Sequence, residues 1–168
     1  MSSRLQARKL AIGCAAFAAA LSFAVAAHGQ QSGPFSALAG AWSGSGSLAL
    51  SKGTNERIRC RAKYDVQSSG SNLILELRCA SDSYKFELQG DIVFRNGEVV
   101  GNWNETTRRV AGQVTGTIKG SQINVRVDGK SFAALLSLTT TGDRQSISIK
   151  APDGSVMSEA AIVLNRGS

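Results

Sequence analysis

Between positions 42 and 166 the chain alternates apolar and polar residues with a period of two, in segments joined by short turns. Such alternation places one face of a β-strand against a core and leaves the other face in water. A slip of one residue would turn an entire apolar set toward solvent, so the pattern excludes most alternative pairings. The turns and the alternation favour the same pairings, and the sequence therefore predicts an antiparallel sheet of consecutive hairpins.

Turn residues predict the register of each hairpin. Asn96-Gly97 suits a type I′ turn, whose two central residues need positive φ, and a fold there sets Gly90 opposite Trp103. The other turns predict these cross-strand pairs: Cys60–Cys79 about Ser69-Gly70, Cys79–Tyr84 about Ser81-Asp82, Trp103–Val110 about Thr106-Thr107, Val114–Val127 about Gly120-Ser121, Val127–Phe132 about Gly129-Lys130, and Leu138–Ile147 about Gly142-Asp143.

About ten strands follow from this pattern. They are expected at residues 41–50, 56–66, 72–80, 84–94, 98–106, 109–119, 122–128, 131–140, 144–150 and 156–166. Every connection has the length of a hairpin, so no parallel crossover fits between them. The predicted fold class is all-β: a single antiparallel up-and-down meander closed as a barrel or flattened clam, because closure removes exposed edges. One short N-terminal helical turn is expected at residues 35–39.

The N-terminal residues have the pattern of a signal peptide. Arg4, Arg8 and Lys9 precede an Ala-rich apolar run over residues 10–27, and small residues suited to Ala-x-Ala-type cleavage end that run. Cys14 lies at the start of the run, whereas a lipid-modified cysteine would end it. We therefore expect export without a lipid anchor.

This pattern divides the chain into a cleaved signal peptide at residues 1–27, a short linker at residues 28–37 and a β-barrel domain at residues 38–168. The protein would then be periplasmic or secreted, with no transmembrane anchor after processing. The alternative is an uncleaved anchor, because the apolar run is near the minimum length that spans a bilayer. The small polar linker directly after the run favours cleavage.

Cys60 and Cys79 are the two cysteines that remain after cleavage, and the hairpin register places them directly opposite each other. In a chain bound for an oxidising compartment, this arrangement predicts a disulfide bond. The bond would close a loop of about 20 residues and contribute roughly 3 kcal/mol by the chain-entropy relation. The alternative is a pair of buried free thiols in the barrel wall.

The inward face of the predicted barrel carries aromatic side chains and several glycines. The candidate ligand-binding residues are Trp42, Tyr64, Tyr84, Phe86, Trp103 and Phe132. The inward glycines are Gly44, Gly46, Gly90, Gly101, Gly112 and Gly116. Glycines leave room for a ligand or let walls approach closely. Two interpretations stay open: a cavity for a hydrophobic small molecule or envelope lipid, or a core filled by its own side chains.

The outward face of the second strand is strongly basic. The candidate anion-binding residues are Arg57, Arg59, Arg61 and Lys63 on that strand and Arg78 on the next. Cleavage leaves 16 of the 19 basic residues against 12 acidic ones, a net charge of +4. The cations could meet an anionic headgroup or protein surface, or form a solvated face that discourages aggregation. Nucleic acid is not expected, because no aromatic residues interleave with them.

The sequence contains no recognisable catalytic apparatus. Acid–base catalysis at neutral pH usually uses a histidine or paired carboxylates, and the single histidine, His28, lies at the cleavage point. Glu105, opposite Leu88 on the inward side, is expected at the barrel rim in water. No Cys/His metal spacing and no phosphate-binding glycine loop occurs. We therefore expect no enzyme, no catalytic residue, no metal and no cofactor.

The two ends of the predicted domain carry a paired signature. Gly40-Ala41-Trp42 begins the first strand, and Arg166 ends the last. This resembles the Gly-x-Trp and terminal arginine of the calycin superfamily (lipocalins, fatty-acid-binding proteins, avidins), here in an exported bacterial type of protein. The resemblance implies that the first and last strands are neighbours and that Arg166 covers Trp42 in a cation–π contact. The resemblance covers only these two ends of the domain. The sequence has no polar residues that match an avidin-like biotin site, and the domain has no histidine for nitrobindin-like haem ligation.

Two classes of function follow from these features. The first is an exported, non-enzymatic, monomeric barrel that binds a small hydrophobic or amphipathic ligand. The second acts through its surface on a protein partner, since the layout is similar to the exported inhibitors of serralysin-type metalloproteases. Those inhibitors use an N-terminal trunk, which corresponds here to residues 30–38. An envelope structural protein with a filled core is a third interpretation.

Overall fold

The computed structural model describes residues 32–50, 53–130 and 132–167, which fold into a closed barrel of ten antiparallel strands. Each strand pairs with its sequence neighbours, and the first also pairs with the last. The strands are β1 (Gly40–Leu50), β2 (Asn55–Gln67), β3 (Asn72–Ala80), β4 (Lys85–Arg95), β5 (Glu98–Glu105), β6 (Val110–Lys119), β7 (Gln122–Gly129), β8 (Phe132–Thr141), β9 (Arg144–Lys150) and β10 (Met157–Arg166). The predicted fold class is confirmed.

Two short 3-10 turns complete the described part of the chain. The first, Ser36–Leu38, precedes β1 and lies within the segment expected to form a helical turn. The second, Ser68–Gly70, connects β2 to β3. No helix among the described residues is long and apolar enough to cross a membrane.

Strand β2 illustrates why the alternation produces this wall. Its inward side chains from Ile58 to Tyr64 are buried, and the intervening basic side chains are exposed. The predicted register is confirmed in the hairpins with tight turns. Confirmed pairs are Cys60–Cys79, Gly90–Trp103, Val114–Val127 and Leu138–Ile147.

The expected register is wrong by two residues in three other hairpins. The observed pairs are Cys79–Phe86, Trp103–Gly112 and Val127–Ala134, where Cys79–Tyr84, Trp103–Val110 and Val127–Phe132 were expected. Because a shift of two residues leaves every side chain on the same face, the inward set is unchanged.

Two of these corners are longer than expected because polar groups hold them. Between β3 and β4, the N–H of Ser81 donates to the carbonyl of Tyr84 at 2.8 Å, and the N–H of Tyr84 donates to Ser81 Oγ at 3.1 Å. Between β5 and β6, the Glu105 carboxylate accepts from the N–H groups of Thr107 at 3.2 Å and Arg108 at 2.7 Å. Tyr84 therefore belongs to a corner, and β5 ends one residue early, at Glu105.

In the third case Gly129 stays in β7, opposite Phe132, and does not enter the turn. A Cβ at Gly129 would lie 2.9 Å from Trp103 Cζ2, so this glycine makes space for the indole. Trp103 donates from Nε1 to the Asp128 carbonyl at 3.2 Å, and its ring meets Phe132 edge-on with centroids 5.8 Å apart. Packing against Trp103, rather than turn formation, accounts for the glycine.

The predicted disulfide between Cys60 and Cys79 is confirmed. The cysteines are directly opposite each other on β2 and β3, with an S–S distance of 2.09 Å and a Cα–Cα distance of 4.2 Å. Both are buried, and the bond links neighbouring strands on the inner face of the barrel wall.

The connections alternate between two ends of the barrel. The closed end carries the 3-10 turn Ser36–Leu38, the connections after β2, β4, β6 and β8, and the end of β10. The mouth carries the connections after β1, β3, β5, β7 and β9.

Candidate functional site

The barrel contains an interior cavity of ≈ 320 Å³. Its walls are leucine, isoleucine, valine and aromatic side chains from β2 through β10. Pockets for small organic ligands occupy about 300–1,000 Å³ and are mostly apolar. The interior therefore has both the size and the surface chemistry of a small ligand site.

Five of the six predicted interior aromatic residues line this cavity. They are Tyr64, Tyr84, Phe86, Trp103 and Phe132. Trp42 also faces inward and is buried, but it is not part of the lining. Phe35 and Leu38, from the segment around the first 3-10 turn, line the cavity at the closed end instead.

The inward glycines serve two different purposes. At Gly90, which lines the cavity, an added Cβ would meet its nearest neighbours at an ordinary contact distance of 3.6 Å. At Gly44 an added Cβ would lie 1.9 Å from the carbonyl oxygen of Val163 on β10. Gly90 therefore leaves room inside the barrel, whereas Gly44 lets the first and last strands approach closely.

The closed end is sealed by Trp42 and Arg166. The Arg166 guanidinium carbon lies 4.3 Å from the centroid of the Trp42 ring, and the two residues are paired across β1 and β10, as the calycin resemblance implied. Trp42 donates from Nε1 to the Leu38 carbonyl at 2.6 Å. Arg166 donates to the carbonyl of Ala37 and to Asp143 Oδ1, both at 2.9 Å. These contacts tie the 3-10 turn to the first and last strands.

A buried polar pair, Tyr64 and Gln145, is a feature that the sequence analysis missed. The Tyr64 hydroxyl, in the cavity wall, donates to Gln145 Oε1 at 3.2 Å, and Gln145 is 0 % exposed. Burial raises the pKa of Tyr64, although the hydrogen bond to Gln145 acts in the opposite direction. Gln145 shares the alternate positions of Ile147, so strand parity alone could have identified it as inward.

Two buried polar atoms, one in this pair and one next to it, have no hydrogen-bond partner among the described residues. They are Nε2 of Gln145 and Oγ1 of Thr140, on residues that are paired across β8 and β9. Leaving a buried polar atom unpaired costs free energy. Among the described residues, the buried polar atoms that lack hydrogen bonds are therefore concentrated around Gln145 and Thr140.

The mouth carries the charged lining of the cavity. The Arg108 guanidinium carbon lies 4.5 Å from the centroid of the Tyr84 ring, and Nη1 donates to the Lys85 carbonyl at 2.9 Å. The same Nη1 lies 3.8 Å from Glu105 Oε1. Val156, which is 67 % exposed, lines the opening as well. The Thr107 hydroxyl also accepts from Arg108 Nη1, at 3.3 Å. The mouth thus combines an apolar rim with a cation held in place by four groups.

Glu105 is opposite Leu88 as expected, but the expectation that it lies in water is wrong. Glu105 is 6 % exposed and accepts a hydrogen bond from the N–H of Glu87 at 3.0 Å, besides those from its own turn. Burial raises the pKa of this carboxyl, but hydrogen bonds from the Thr107 hydroxyl and from the N–H groups of Glu87, Arg108 and Thr107 outweigh that effect and lower it. The carboxylate is occupied in stabilising its turn.

The five predicted anion-binding residues form one outer surface, which we call the basic stripe. Arg57, Arg59, Arg61 and Lys63 project from β2 and are exposed, and Arg78 projects from β3 directly opposite Arg61. The stripe lies on the side of the barrel wall away from the cavity.

Within the described ranges, no three His, Cys, Asp or Glu side chains are grouped closely enough to hold a metal ion. The predicted signal peptide with Cys14, and the first linker residues with His28, lie outside the described residues.

Comparison with known proteins identifies the fold only. No protein-family model matches the chain, and no curated protein matches it either. Among solved structures, the chain is similar to the crystal structure of Rv2717c from M. tuberculosis, with a TM-score of 0.63 and 19% sequence identity over 79% of this chain and 94% of that chain. At this identity the likeness concerns architecture alone. The closed ten-stranded antiparallel barrel fits a small calycin-like barrel.

Proposed function

We propose that this protein is an exported, non-enzymatic barrel that binds a small hydrophobic or amphipathic molecule in its interior. The observation that carries the proposal is the apolar cavity of ≈ 320 Å³. A core filled by its own side chains would leave no such volume, since protein interiors are packed as densely as organic crystals.

The distribution of polar groups supports an amphipathic ligand. Among the residues along the apolar walls, Tyr64 lies toward the closed end and Arg108 at the mouth. A molecule with an apolar body and a polar end fits this arrangement, because a few placed polar groups in an apolar pocket orient a ligand. A hydrophobic small molecule or an envelope lipid has that chemistry.

The remaining parts of the proposal rest on several separate features. The signal-peptide pattern and the Cys60–Cys79 disulfide support an oxidising, exported location. The occupied Glu105 carboxylate supports a binding role over a catalytic one. We propose a monomer without a cofactor, without a nucleic-acid partner and without a transmembrane anchor after processing.

The placement of residues 33–38 favours a container over a trunk-type protease inhibitor. Gly33 donates to the Ser69 carbonyl at 2.8 Å, and Phe35 donates to the Gly70 carbonyl at 3.0 Å. Phe35 is also buried in the core. A segment held in this way closes the barrel and is poorly placed to reach into another protein.

Native mass spectrometry of protein exported by its own leader and purified without denaturation tests the proposal. We expect a fraction of the chains to carry a non-covalent adduct with the mass of a small lipid or hydrophobic metabolite. The adduct should be lost from Ala134→Phe, which places a ring in the cavity from β8, and from Gly90→Leu, which fills it from β4.

The matched control is Ala133→Phe, because Ala133 is the neighbouring position on β8 and faces outward. It should keep the adduct. Thermal unfolding of all variants establishes that they are folded. An adduct carried equally by the filled and control variants, or by none of the proteins, would refute ligand binding in the interior.

A further inference from the structure

The basic stripe is only partly compensated by acidic residues. Lys63 lies opposite Glu76 and Arg78 opposite Glu87, whereas the three arginines of β2 have no acidic residue in the opposite positions of the neighbouring strands. None of its five members forms an ion pair in the part of the chain that the structure describes, although four other cations do so. Arg61 lies directly opposite Arg78 across β2 and β3. Like charges in directly opposite positions destabilise a sheet. The fold therefore tolerates a repulsive arrangement on this face, which a bound anion would relieve.

The neighbouring strand adds hydroxyl groups in register with the arginines. Ser47 is paired with Arg57, Ser45 with Arg59 and Ser43 with Arg61. In each pair the arginine and the serine occupy directly opposite positions on the outer face, and Arg57 Nη2 donates diagonally to Ser45 Oγ at 3.3 Å. Successive arginines are roughly 7 Å apart, because outward side chains recur every second residue.

A row of guanidinium and hydroxyl donors matches phosphate oxygens. Arginine binds phosphate through two parallel N–H donors, and hydroxyls add further donors at the same oxygens. Three of the four cations on β2 are arginines rather than lysines. The repeated unit on this face is thus suited to several phosphate groups in a row rather than to one isolated ion.

We propose that the basic stripe docks the barrel on a bilayer containing anionic phospholipids. The face has charge complementarity to such headgroups, which attract clusters of basic residues. The large hydrophobic residues that are exposed within the described ranges, Leu135 and Val156, are not members of the stripe. A protein interface would have an aromatic or aliphatic centre, and single-stranded nucleic acid would need aromatic stacking platforms. Adsorption at the depth of the lipid headgroups needs neither an apolar centre nor aromatic stacking platforms.

The stripe runs along β2 from the mouth toward the closed end. Arg57 lies near the mouth end of β2, and Lys63 lies toward the closed end. A barrel adsorbed through this row would have its mouth beside the membrane. The docking surface itself is independent of the proposed cavity function, since it uses outward residues only.

Co-sedimentation of the mature protein with lipid vesicles tests the proposal. The probes are vesicles of phosphatidylcholine alone and vesicles of equimolar phosphatidylcholine and phosphatidylglycerol. We expect binding to the anionic vesicles only, weakening as salt is added. The triple variant Arg57→Gln/Arg59→Gln/Arg61→Gln should bind about a hundredfold more weakly, from the usual contribution of each basic residue near a charged membrane surface.

The matched control is Arg95→Gln/Lys119→Gln/Arg144→Gln, which removes the same charge from exposed positions at the closed end. It should retain binding within a few fold, and so should Ala134→Phe, which separates docking from ligand uptake. Equal loss in both triple variants would contradict the proposal, since net charge alone would then govern adsorption. Binding of an acidic protein or of heparin without binding of anionic vesicles would also overturn it.

Discussion

Trp42 and Arg166 form a single contact that both closes the barrel and seals one end of it. They are paired across the seam between β1 and β10, and the guanidinium carbon lies 4.3 Å from the indole centroid. The same guanidinium binds the 3-10 turn that lines the cavity at that end. The seam and the floor of the cavity therefore depend on the same side chain.

Replacing Arg166 with Met should lower the free energy of unfolding by on the order of 2 kcal/mol, because it removes a cation–π contact and hydrogen bonds from a charged donor. Urea denaturation measures the change. Arg144→Met, at an exposed position on β9, removes the same charge without these contacts and should change stability by less than about 0.5 kcal/mol. Equal effects of the two substitutions would show that Arg166 does not close the barrel.

Substitutions at Tyr64 and Gln145 should have strongly non-additive effects on the free energy of unfolding. Tyr64→Phe leaves Gln145 buried with no hydrogen bond from a tyrosine, and should destabilise the barrel by about 1–3 kcal/mol. Replacing both residues, as Tyr64→Phe/Gln145→Met, should be close to neutral, because it also removes the unpaired Nε2. A double-mutant cycle by denaturant unfolding measures the coupling. Additive losses in the double variant would contradict this account.

Glu105 should make stability depend on pH in the acid range. Its pKa is lower in the folded protein than in the unfolded chain, so its contribution is present above the unfolded pKa and is lost as pH falls through the folded pKa. Glu105→Gln should therefore flatten the pH dependence of the melting temperature, and at neutral pH it should cost about 1–3 kcal/mol.

Glu98→Gln is the control for this measurement, because Glu98 is an exposed carboxylate at the start of β5. It should leave the pH profile nearly unchanged. A Glu105→Gln profile that runs parallel to that of the unmodified protein would be inconsistent with a carboxylate that is stabilised by its turn.

Removing the disulfide should destabilise the protein without changing its fold. Cys60 and Cys79 are 19 residues apart, and Cys60→Ala/Cys79→Ala should lose about 3 kcal/mol from the greater entropy of the unfolded chain. Denaturant unfolding and far-ultraviolet circular dichroism measure the two properties. An unchanged midpoint would show that the bond contributes nothing to stability.

The tight turns made most of the fold predictable from sequence. Asn96-Gly97 has positive φ at both residues, so its local backbone preference and the apolar alternation agree on one register. Gly142 is likewise at positive φ in the turn before β9. Where such a turn is present, the predicted pairs match the observed ones.

The longer corners were less predictable because side chains, not backbone preference, determine their length. The Ser81 hydroxyl and the Glu105 carboxylate each hold a corner by hydrogen bonds to groups within it. Gly129 resembled a turn residue but is required by the packing of Trp103. In each case the strand parity stayed correct, and the inward residues were therefore predictable while their exact partners were not.

The candidate site was only partly accessible to sequence reasoning. Parity identified Tyr64, Phe86, Trp103 and Phe132 as inward, and the structure places them on the cavity wall. Whether inward side chains fill a barrel depends on the volume of its interior, and local sequence patterns do not predict that volume. The position of Arg108 over Tyr84 arises between two separate connections at the mouth, and no spacing along the chain indicates it.

Fluorescence titration with N-phenyl-1-naphthylamine, a neutral hydrophobic probe, tests most directly whether the barrel is a container. The account predicts saturable binding of one probe per chain, retained in Ala133→Phe and lost in Ala134→Phe. The two positions are adjacent on β8 and differ in whether they face the cavity. Binding that does not saturate, or that is the same in the two variants, would contradict a ligand site inside the barrel.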